Sequence, residues 1–183
     1  MSNTESQISK SELLKGSSPV IDLCRRLKLS PFVVIDVGAG GGNTIEFKQI
    51  ASLCQVHAVE PRTGTDTSLP NVGGFGDFIS HNTALSDKSG PQTLYITAVP
   101  EASSLLRPNS INLKRSWIGN DKIFEVVEER IIDCETLDTF SKRTRIAKCD
   151  FLKLDTQGTE LNILLSGANL VSNWSEPHRL HKI

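Results

Sequence analysis

The stretch FVVIDVGAGGGNT, residues 32–44, limits the possible folds of this chain more than any other segment. Its first six residues form a nearly continuous apolar, β-branched run, which is typical of a strand buried on both faces of a parallel sheet. Four glycines follow within residues 38–42 and predict a tight turn into a helix. A second apolar run at residues 56–60 completes the pattern, so we predict a right-handed βαβ unit here.

Apolar residues at helical spacing predict three helices that pack on this sheet. The first begins at Pro19 and ends before Pro31, the second follows the glycine turn, and the third lies within residues 156–171. Their predicted apolar faces are, in the same order, Val20, Leu23, Cys24 and Leu27; Ile45, Ile50, Leu53 and Cys54; and Leu161, Leu164, Leu165 and Ala168.

Four further strands are predicted, at residues 78–85, 92–99, 122–133 and 149–155. The first and last of these resemble buried members of a parallel core, whereas the middle two are expected to be antiparallel additions. The predicted fold class is therefore α/β: a Rossmann-like, doubly wound and mostly parallel sheet with helices on both faces. Its four parallel strands are fewer than such sheets usually contain.

Length and composition indicate a single domain. Residues 1–18 are predicted to be a polar N-terminal arm and residues 19–183 the domain itself. The net charge of −1 argues against nucleic acid as a partner. The four cysteines lack metal-binding or redox spacing, no segment has the length and apolarity of a membrane span, and the N-terminus lacks a signal core. We therefore predict reduced thiols, no membrane span and a cytoplasmic location.

The glycine turn also indicates what kind of ligand it could hold. A dinucleotide fingerprint requires G-x-G-x-x-G, but Asn43 occupies the position of the third glycine. Asp36, inside the first strand, would repel a pyrophosphate and suits a ligand with positive charge. S-adenosylmethionine is such a ligand: it carries a sulfonium, an ammonium and one carboxylate, which helix amides can meet. Glu60, at the end of the second strand, can accept hydrogen bonds from its ribose hydroxyls.

Each of these residues also has a purely structural explanation. The glycines could serve only a tight turn, Asp36 could accept a hydrogen bond from a backbone amide, and Glu60 could be a solvated strand end. Ribose recognition suits NAD equally well, so a nicotinamide oxidoreductase stays an alternative, although Asp36 and Asn43 disfavour it. The combination of Asp36 with Glu60 favours S-adenosylmethionine.

The chain resembles the FkbM family of S-adenosylmethionine-dependent methyltransferases. The matching segments within residues 32–170, in family order, are VIDVGAGGGNT, VHAVEP, NTALSDKSGPQTLYI, SSLL, ETLDTF and DFLKLDTQGTELNILLSGA. The last segment is the most specific, because few other families place LKLDTQGTEL after TLD. The resemblance implies a class I, Rossmann-like enzyme that most often methylates oxygen, here a hydroxyl on a small molecule or glycan.

The resemblance also implies roles for individual residues. The residues expected to bind the cofactor are Asp36, Gly38, Ala39, Gly40 and Gly42 near its methionine end, Glu60 at the ribose, and Asn82, Ala84 and Leu85 near the adenine. Asp155 is expected to face the reaction centre and is the catalytic candidate; His81 and Glu160 are the other candidate bases. No metal is expected, because methyl transfer from a sulfonium depends mainly on alignment.

Two departures from the family pattern lead to further expectations. Residues 62–76 resemble a loop where the family usually has a helix, and the chain stops at Ile183 where the family continues into further strands. We therefore expect a chain shortened at its C-terminus, a parallel sheet incomplete at that edge, and self-association through the uncovered edge. The alternative to an active enzyme is a non-catalytic, methyltransferase-like remnant that binds the cofactor or a partner chain.

Overall fold

The apolar run that opens the glycine motif is the centre of the structure. The computed structural model describes residues 19–41, 45–61, 69–109 and 121–172. Strand β1 (Phe32–Val37) has the predicted bounds, and its last four residues are buried. Alternate side chains of β1 enter two different apolar clusters, so both faces of the strand are covered.

Strand β1 lies inside a four-stranded sheet in which all neighbours are parallel. It pairs with β2 (Cys54–Val59) on one side and with β7 (Phe151–Leu154) on the other. Strand β2 pairs in turn with β3 (Asp77–His81), which gives the order β3-β2-β1-β7. The predicted parallel core is therefore confirmed. The carboxyl ends of β1, β2 and β7 meet at one edge, where the candidate site lies.

A second sheet of three strands faces this edge. Strand β4 (Ala84–Leu85) pairs in parallel with β6 (Val126–Glu135), and β6 pairs antiparallel with β5 (Gly90–Thr97). The two strands predicted to be antiparallel additions lie outside the parallel core, as expected; they pair with each other and form a separate sheet. The strand predicted at residues 78–85 is divided, because β3 belongs to one sheet and β4 to the other.

Helical segments cover both faces of the parallel sheet. On one face lie α2 (Leu137–Thr144), α3 (Glu160–Leu165) and α4 (Ala168–Ser172), which bury Leu137, Phe140, Ile163 and Leu170 against Ile35 and Val59. On the other face lies a 3₁₀ helix, Ile45–Leu53, which α1 (Pro19–Arg26) contacts. The α/β fold with a mostly parallel, Rossmann-like sheet and helices on both faces is therefore confirmed.

Two predicted apolar faces are wrong. In α1 the buried residue is Ile21, whereas Leu23 and Leu27 are more than half exposed. In the last helical region Leu161 and Leu165 are exposed, and the structure buries Ile163 and Leu170 instead. The single helix expected at residues 156–171 is interrupted between Leu165 and Ala168, where Gly167 packs so closely on Leu137 that a Cβ atom would lie 2.4 Å from its side chain. The chain turns at this close contact, which rotates the apolar face.

The segment after the glycine turn also differs from the expectation. It is a 3₁₀ helix with non-helical backbone angles at Ile50, and Cys54 already belongs to β2. The side chains of Ile50 and Cys54 nevertheless pack in one cluster, as the apolar spacing predicts. All four cysteines are free thiols, and three of them are buried. None of the described helices has both the length and the apolarity needed to cross a membrane.

Candidate active site at the carboxyl edge of the sheet

A cavity of about 510 Å³ lies between the two sheets. We call the lining residues at the ends of the parallel strands the floor of the cavity: Val37, Gly38, Val59 and Lys153. Its rim consists of the segments 103–106 and 155–159, most of whose residues line the cavity. The second sheet closes the remaining side with apolar residues of β4 and β5. The cavity thus occupies the edge where open α/β sheets bind ligands.

Gly38 brings the floor and the rim into contact. Its φ of +79° favours glycine, and a Cβ atom built there would lie 1.9 Å from the carbonyl oxygen of Asp155. The Gly38 amide donates to the Val59 carbonyl at 3.0 Å, and the Asp155 amide donates to the Val37 carbonyl at 2.9 Å. The first glycine of the turn therefore allows β1, β2 and the residue after β7 to approach closely.

Glu60 follows β2 and lines the cavity beside the glycine turn. One of its carboxylate oxygens accepts a hydrogen bond from the Gly40 amide at 3.3 Å. A Cβ atom at position 40 would lie 3.0 Å from the Glu60 carboxylate, so a larger residue would require the Glu60 side chain to shift. Gly40 also lines the cavity. The structure thus brings together two of the predicted cofactor residues.

Asp36 forms an ion pair below the cavity. Its side chain is fully buried, and the Lys153 ammonium donates to its Oδ1 at 3.0 Å. The two residues are direct partners in the register of β1 and β7. Lys153 itself lines the cavity, and its side chain is 31% exposed. The charge that reaches the cavity surface at this point is therefore the positive charge of Lys153.

Asp155 follows β7 and points into the rim. Its side chain is 55% exposed, lines the cavity and lies 3.9 Å from the Lys153 ammonium. The Gln157 side chain donates to its Oδ1 at 3.2 Å. The catalytic candidate is thus accessible from the cavity.

Glu160 stabilises the rim from beneath. Its carboxylate accepts hydrogen bonds from the backbone amides of Thr156 at 2.9 Å and Gly158 at 3.0 Å. Burial raises the pKa of Glu160, but these amide hydrogen bonds outweigh that effect, so its pKa lies below the ordinary value. The carboxylate holds the turn that carries Asp155. Its contacts explain its position without a role as a base.

Ser104 joins the two segments of the rim. Its hydroxyl lies 3.1 Å from the carbonyl oxygens of both Thr156 and Gln157, and it accepts from the Leu106 amide at 3.0 Å. Ser104 is buried although it lines the cavity. The rim is therefore held by these side-chain hydrogen bonds together with a short antiparallel bridge, in which the backbones of Ser104 and Tyr95 of β5 exchange hydrogen bonds of 2.8 and 3.2 Å.

His81, another candidate base, is packed away from the rim. Its Nε2 lies 2.9 Å from Nδ1 of the buried His57, and its ring contacts Phe140 edge-on. Burial first, and then His57 and Arg143, lower the pKa of His81 to about 4, although Glu135 opposes them. Burial also lowers the pKa of His57. Both rings are therefore neutral near pH 7.

The remaining predicted site residues fall in different places. Ala84 and Leu85 line the cavity, as does Thr83, while Asn82 is exposed at the end of β3. Ala39 is buried in an apolar cluster. Gly42 lies outside the described residues.

Sequence reasoning missed several residues of the cavity: Lys153, Thr83, Glu101, Ser104 and Gln157. Lys153 had a partial signal, because it alternates with Leu152 and Leu154 and so faces the other side of the strand from these two apolar residues. No group of three or more metal-binding side chains occurs within the residues the structure describes.

Comparison with known proteins identifies the family. No curated protein and no solved structure gave a significant match. The family model described as the methyltransferase FkbM domain matches residues 36–176, which include the end of β1, all of β7 and both segments of the rim. This match covers most of the 183 residues. The chain therefore belongs to the FkbM methyltransferase family.

Proposed function

We propose that the chain is an S-adenosylmethionine-dependent methyltransferase that methylates a hydroxyl oxygen on a small molecule or a glycan. The observation that carries this proposal is the position of Glu60. It ends the second parallel strand, lines the cavity and contacts the glycine turn at Gly40. A carboxylate at this point suits a ribose, and the family match supports methyl transfer as the reaction.

The charges of the cavity support a cationic nucleoside over a dinucleotide. Three carboxylates, those of Glu60, Glu101 and Asp155, line the cavity together with one ammonium, that of Lys153. S-adenosylmethionine carries two positive charges and one negative charge, whereas a pyrophosphate adds two negative charges. The charged side chains of the cavity therefore fit a ligand with a net positive charge.

The role of each residue follows from its place in the cavity. When bound, S-adenosylmethionine supplies an electrophilic methyl group on its sulfonium. Glu60 would hold the ribose hydroxyls, and Thr83, Ala84 and Leu85 would lie along the adenosine. Asp155 would accept the proton of the acceptor hydroxyl as the new oxygen–carbon bond forms and the carbon–sulfur bond breaks. The rim would align the acceptor and exclude water.

Calorimetric titration with S-adenosylmethionine and with S-adenosylhomocysteine tests the cofactor. We expect binding by the wild type and a loss of about 10-fold or more in Glu60→Gln, because a hydrogen bond to a charged group is removed. Gln157→Ala is a matched control on the rim, and we expect it to keep the affinity. Binding of NAD without binding of S-adenosylmethionine would overturn the proposal.

Transfer of a radiolabelled methyl group to panels of hydroxyl compounds and glycans tests the reaction. We expect turnover in the wild type and a large loss in Asp155→Asn with little change in cofactor affinity. Cofactor binding without turnover on any acceptor would instead favour a methyltransferase-like protein that only binds the cofactor.

We also propose self-association and a cytoplasmic location. Within the described residues β7 pairs only with β1, and its Phe151 side chain is 38% exposed, which leaves a strand edge available for a second copy. Sedimentation should show a concentration-dependent dimer, and a stable monomer at every concentration would contradict it. The four free thiols support a reducing compartment. Cell fractionation tests that location.

A further inference from the structure

We propose that Lys153 binds the carboxylate of the methionine moiety, and that Asp36 acts only by holding Lys153 in place. This inference rests on the proposed function, because it concerns one end of the same cofactor. It reverses the sequence-based expectation for Asp36, in which the acid itself balances the positive groups of the ligand.

The first argument is the placement of Lys153. Its ammonium is fixed by the fully buried Asp36 at 3.0 Å, one strand away from the glycine turn. Within the described residues, the Lys153 ammonium donates one hydrogen bond, to Asp36. Its nitrogen also lies 3.9 Å from Oδ2 of Asp155. An ammonium has three donors. Donors therefore stay available on the side of Lys153 that lines the cavity.

The second argument is the charge of the cavity walls. A ligand carboxylate that enters this cavity meets the carboxylates of Glu60, Glu101 and Asp155. Among the described residues that line the cavity, Lys153 carries the only positive charge. Since burying an unpaired carboxylate is costly, the carboxylate of the ligand belongs next to Lys153.

The third argument concerns the backbone amides that were expected to bind this carboxylate. The Gly40 amide donates to Glu60 at 3.3 Å. The segment that begins at Ile45 is a 3₁₀ helix with an irregular residue at Ile50, rather than the expected α-helix. Within the described residues, the segment after the turn is therefore a 3₁₀ helix, and the Gly40 amide already has an acceptor.

The position of Lys153 along the cavity favours the cofactor over the acceptor. Lys153 pairs in register with Asp36, two residues before Gly38, so it lies at the glycine-turn end of the floor. Asp155, beyond it, reaches the rim and is more exposed. Lys153 thus lies on the glycine-turn side and Asp155 on the rim side, with their charged groups 3.9 Å apart.

Calorimetry with two probes tests the inference without knowledge of the acceptor. The probes are S-adenosylmethionine and its decarboxylated form, which keeps the sulfonium and the amine but lacks the carboxylate. We expect the wild type to prefer the carboxylate form by about 10- to 100-fold. In Lys153→Met this preference should fall to near one. The variant should lose affinity for S-adenosylmethionine and keep its affinity for the decarboxylated form, which has no carboxylate for Lys153 to bind. Lys153→Arg should retain the preference.

A second variant guards against a folding defect, because Lys153→Met leaves Asp36 buried without its lysine. In the double variant Asp36→Asn with Lys153→Gln, both charges are removed together, and far-ultraviolet circular dichroism checks the fold. We expect the same loss of preference. An unchanged preference in either folded variant would overturn this inference while leaving the proposed function intact. Failure of the wild type to bind either probe would overturn both.

Discussion

The floor and the rim of the cavity are built by different means. The floor is made of strand ends, and its residues are fixed by parallel pairing of β1 with both β2 and β7. The rim consists of short segments that are fixed mainly by the side chains of Ser104 and Glu160 and by a single backbone bridge between Ser104 and Tyr95. The difference indicates that the part proposed to bind the cofactor is set by the sheet, whereas the part proposed to face the acceptor can change without refolding the core.

The largest effect is expected at the contact between floor and rim. Gly38→Ala would place a methyl group 1.9 Å from the Asp155 carbonyl at a positive φ, so we expect the free energy of unfolding to fall by about 3 kcal/mol. Urea denaturation measures this. Gly74→Ala is a matched control, because Gly74 has a φ of +66° but no atom within 4 Å of the added Cβ. We expect a loss of only about 1 kcal/mol there, and equal losses would contradict the comparison.

Substitution of two aspartates, Asp36 beneath the floor and Asp155 in the rim, gives the next test of the comparison. Asp36→Asn weakens a pair whose acid is fully buried, so we expect a loss of between about 2 and 3 kcal/mol in the free energy of unfolding. Asp155→Asn changes an exposed rim residue, and we expect a change within about 0.5 kcal/mol. Urea denaturation near pH 7 compares them. A larger loss for Asp155→Asn would mean that the rim, not the floor, holds the sheet together.

The histidine pair behind the floor makes stability depend on pH. The pKa of His81 is lowered to about 4 by burial first and then by His57 and Arg143. Between pH 6.5 and 4 the unfolded chain therefore binds more protons than the folded chain, so stability falls as the pH is lowered. Allowing for partial exposure, we expect a fall of about 2 kcal/mol from this group. Thermal unfolding of wild type and His81→Gln across this range measures it, and parallel pH profiles would contradict it.

The smallest effect is expected in the rim. Ser104→Ala removes a hydroxyl that contacts the carbonyls of Thr156 and Gln157, so we expect a loss of about 1 kcal/mol or less. Hydrogen exchange should speed up in residues 155–159 while the amides of β1 and β2 keep their protection. Ser172→Ala, on the far helix α4, is the control. Faster exchange throughout β1 would show that the rim and the floor unfold together.

The fold could be predicted in those segments whose residue pattern is compatible with only one type of secondary structure. The run at Phe32–Val37 is apolar on both faces and short, so a buried parallel strand was the natural prediction, and its bounds are confirmed. The placement of Glu60 after β2 followed in the same way. By contrast, the residues 160–172 contain so many leucines that several faces are possible. Which face is buried depends on tertiary contacts such as that of Gly167 with Leu137, and a local sequence pattern does not show such contacts.

The site could be predicted only in part, for a related reason. The acids were visible in the sequence, but the partner of Asp36 is set by the register of β1 against β7, which are 117 residues apart at this pair. From the sequence alone, a carboxylate that binds a ligand cannot be distinguished from one that pairs with a lysine until that register is known. The lining residues Glu101 and Ser104 lie in a loop without periodicity, and only tertiary contacts bring them to the cavity.

That distant pairing of β1 has a consequence for synthesis on the ribosome. The first partner of β1 emerges soon after it, but β7 emerges more than 100 residues later, which at cellular translation rates is a delay on the order of 10 s. During this interval one edge of the central strand lacks its neighbour and Asp36 lacks its lysine. The nascent chain therefore carries an open, aggregation-prone edge, and a chaperone that covers this edge would increase the yield.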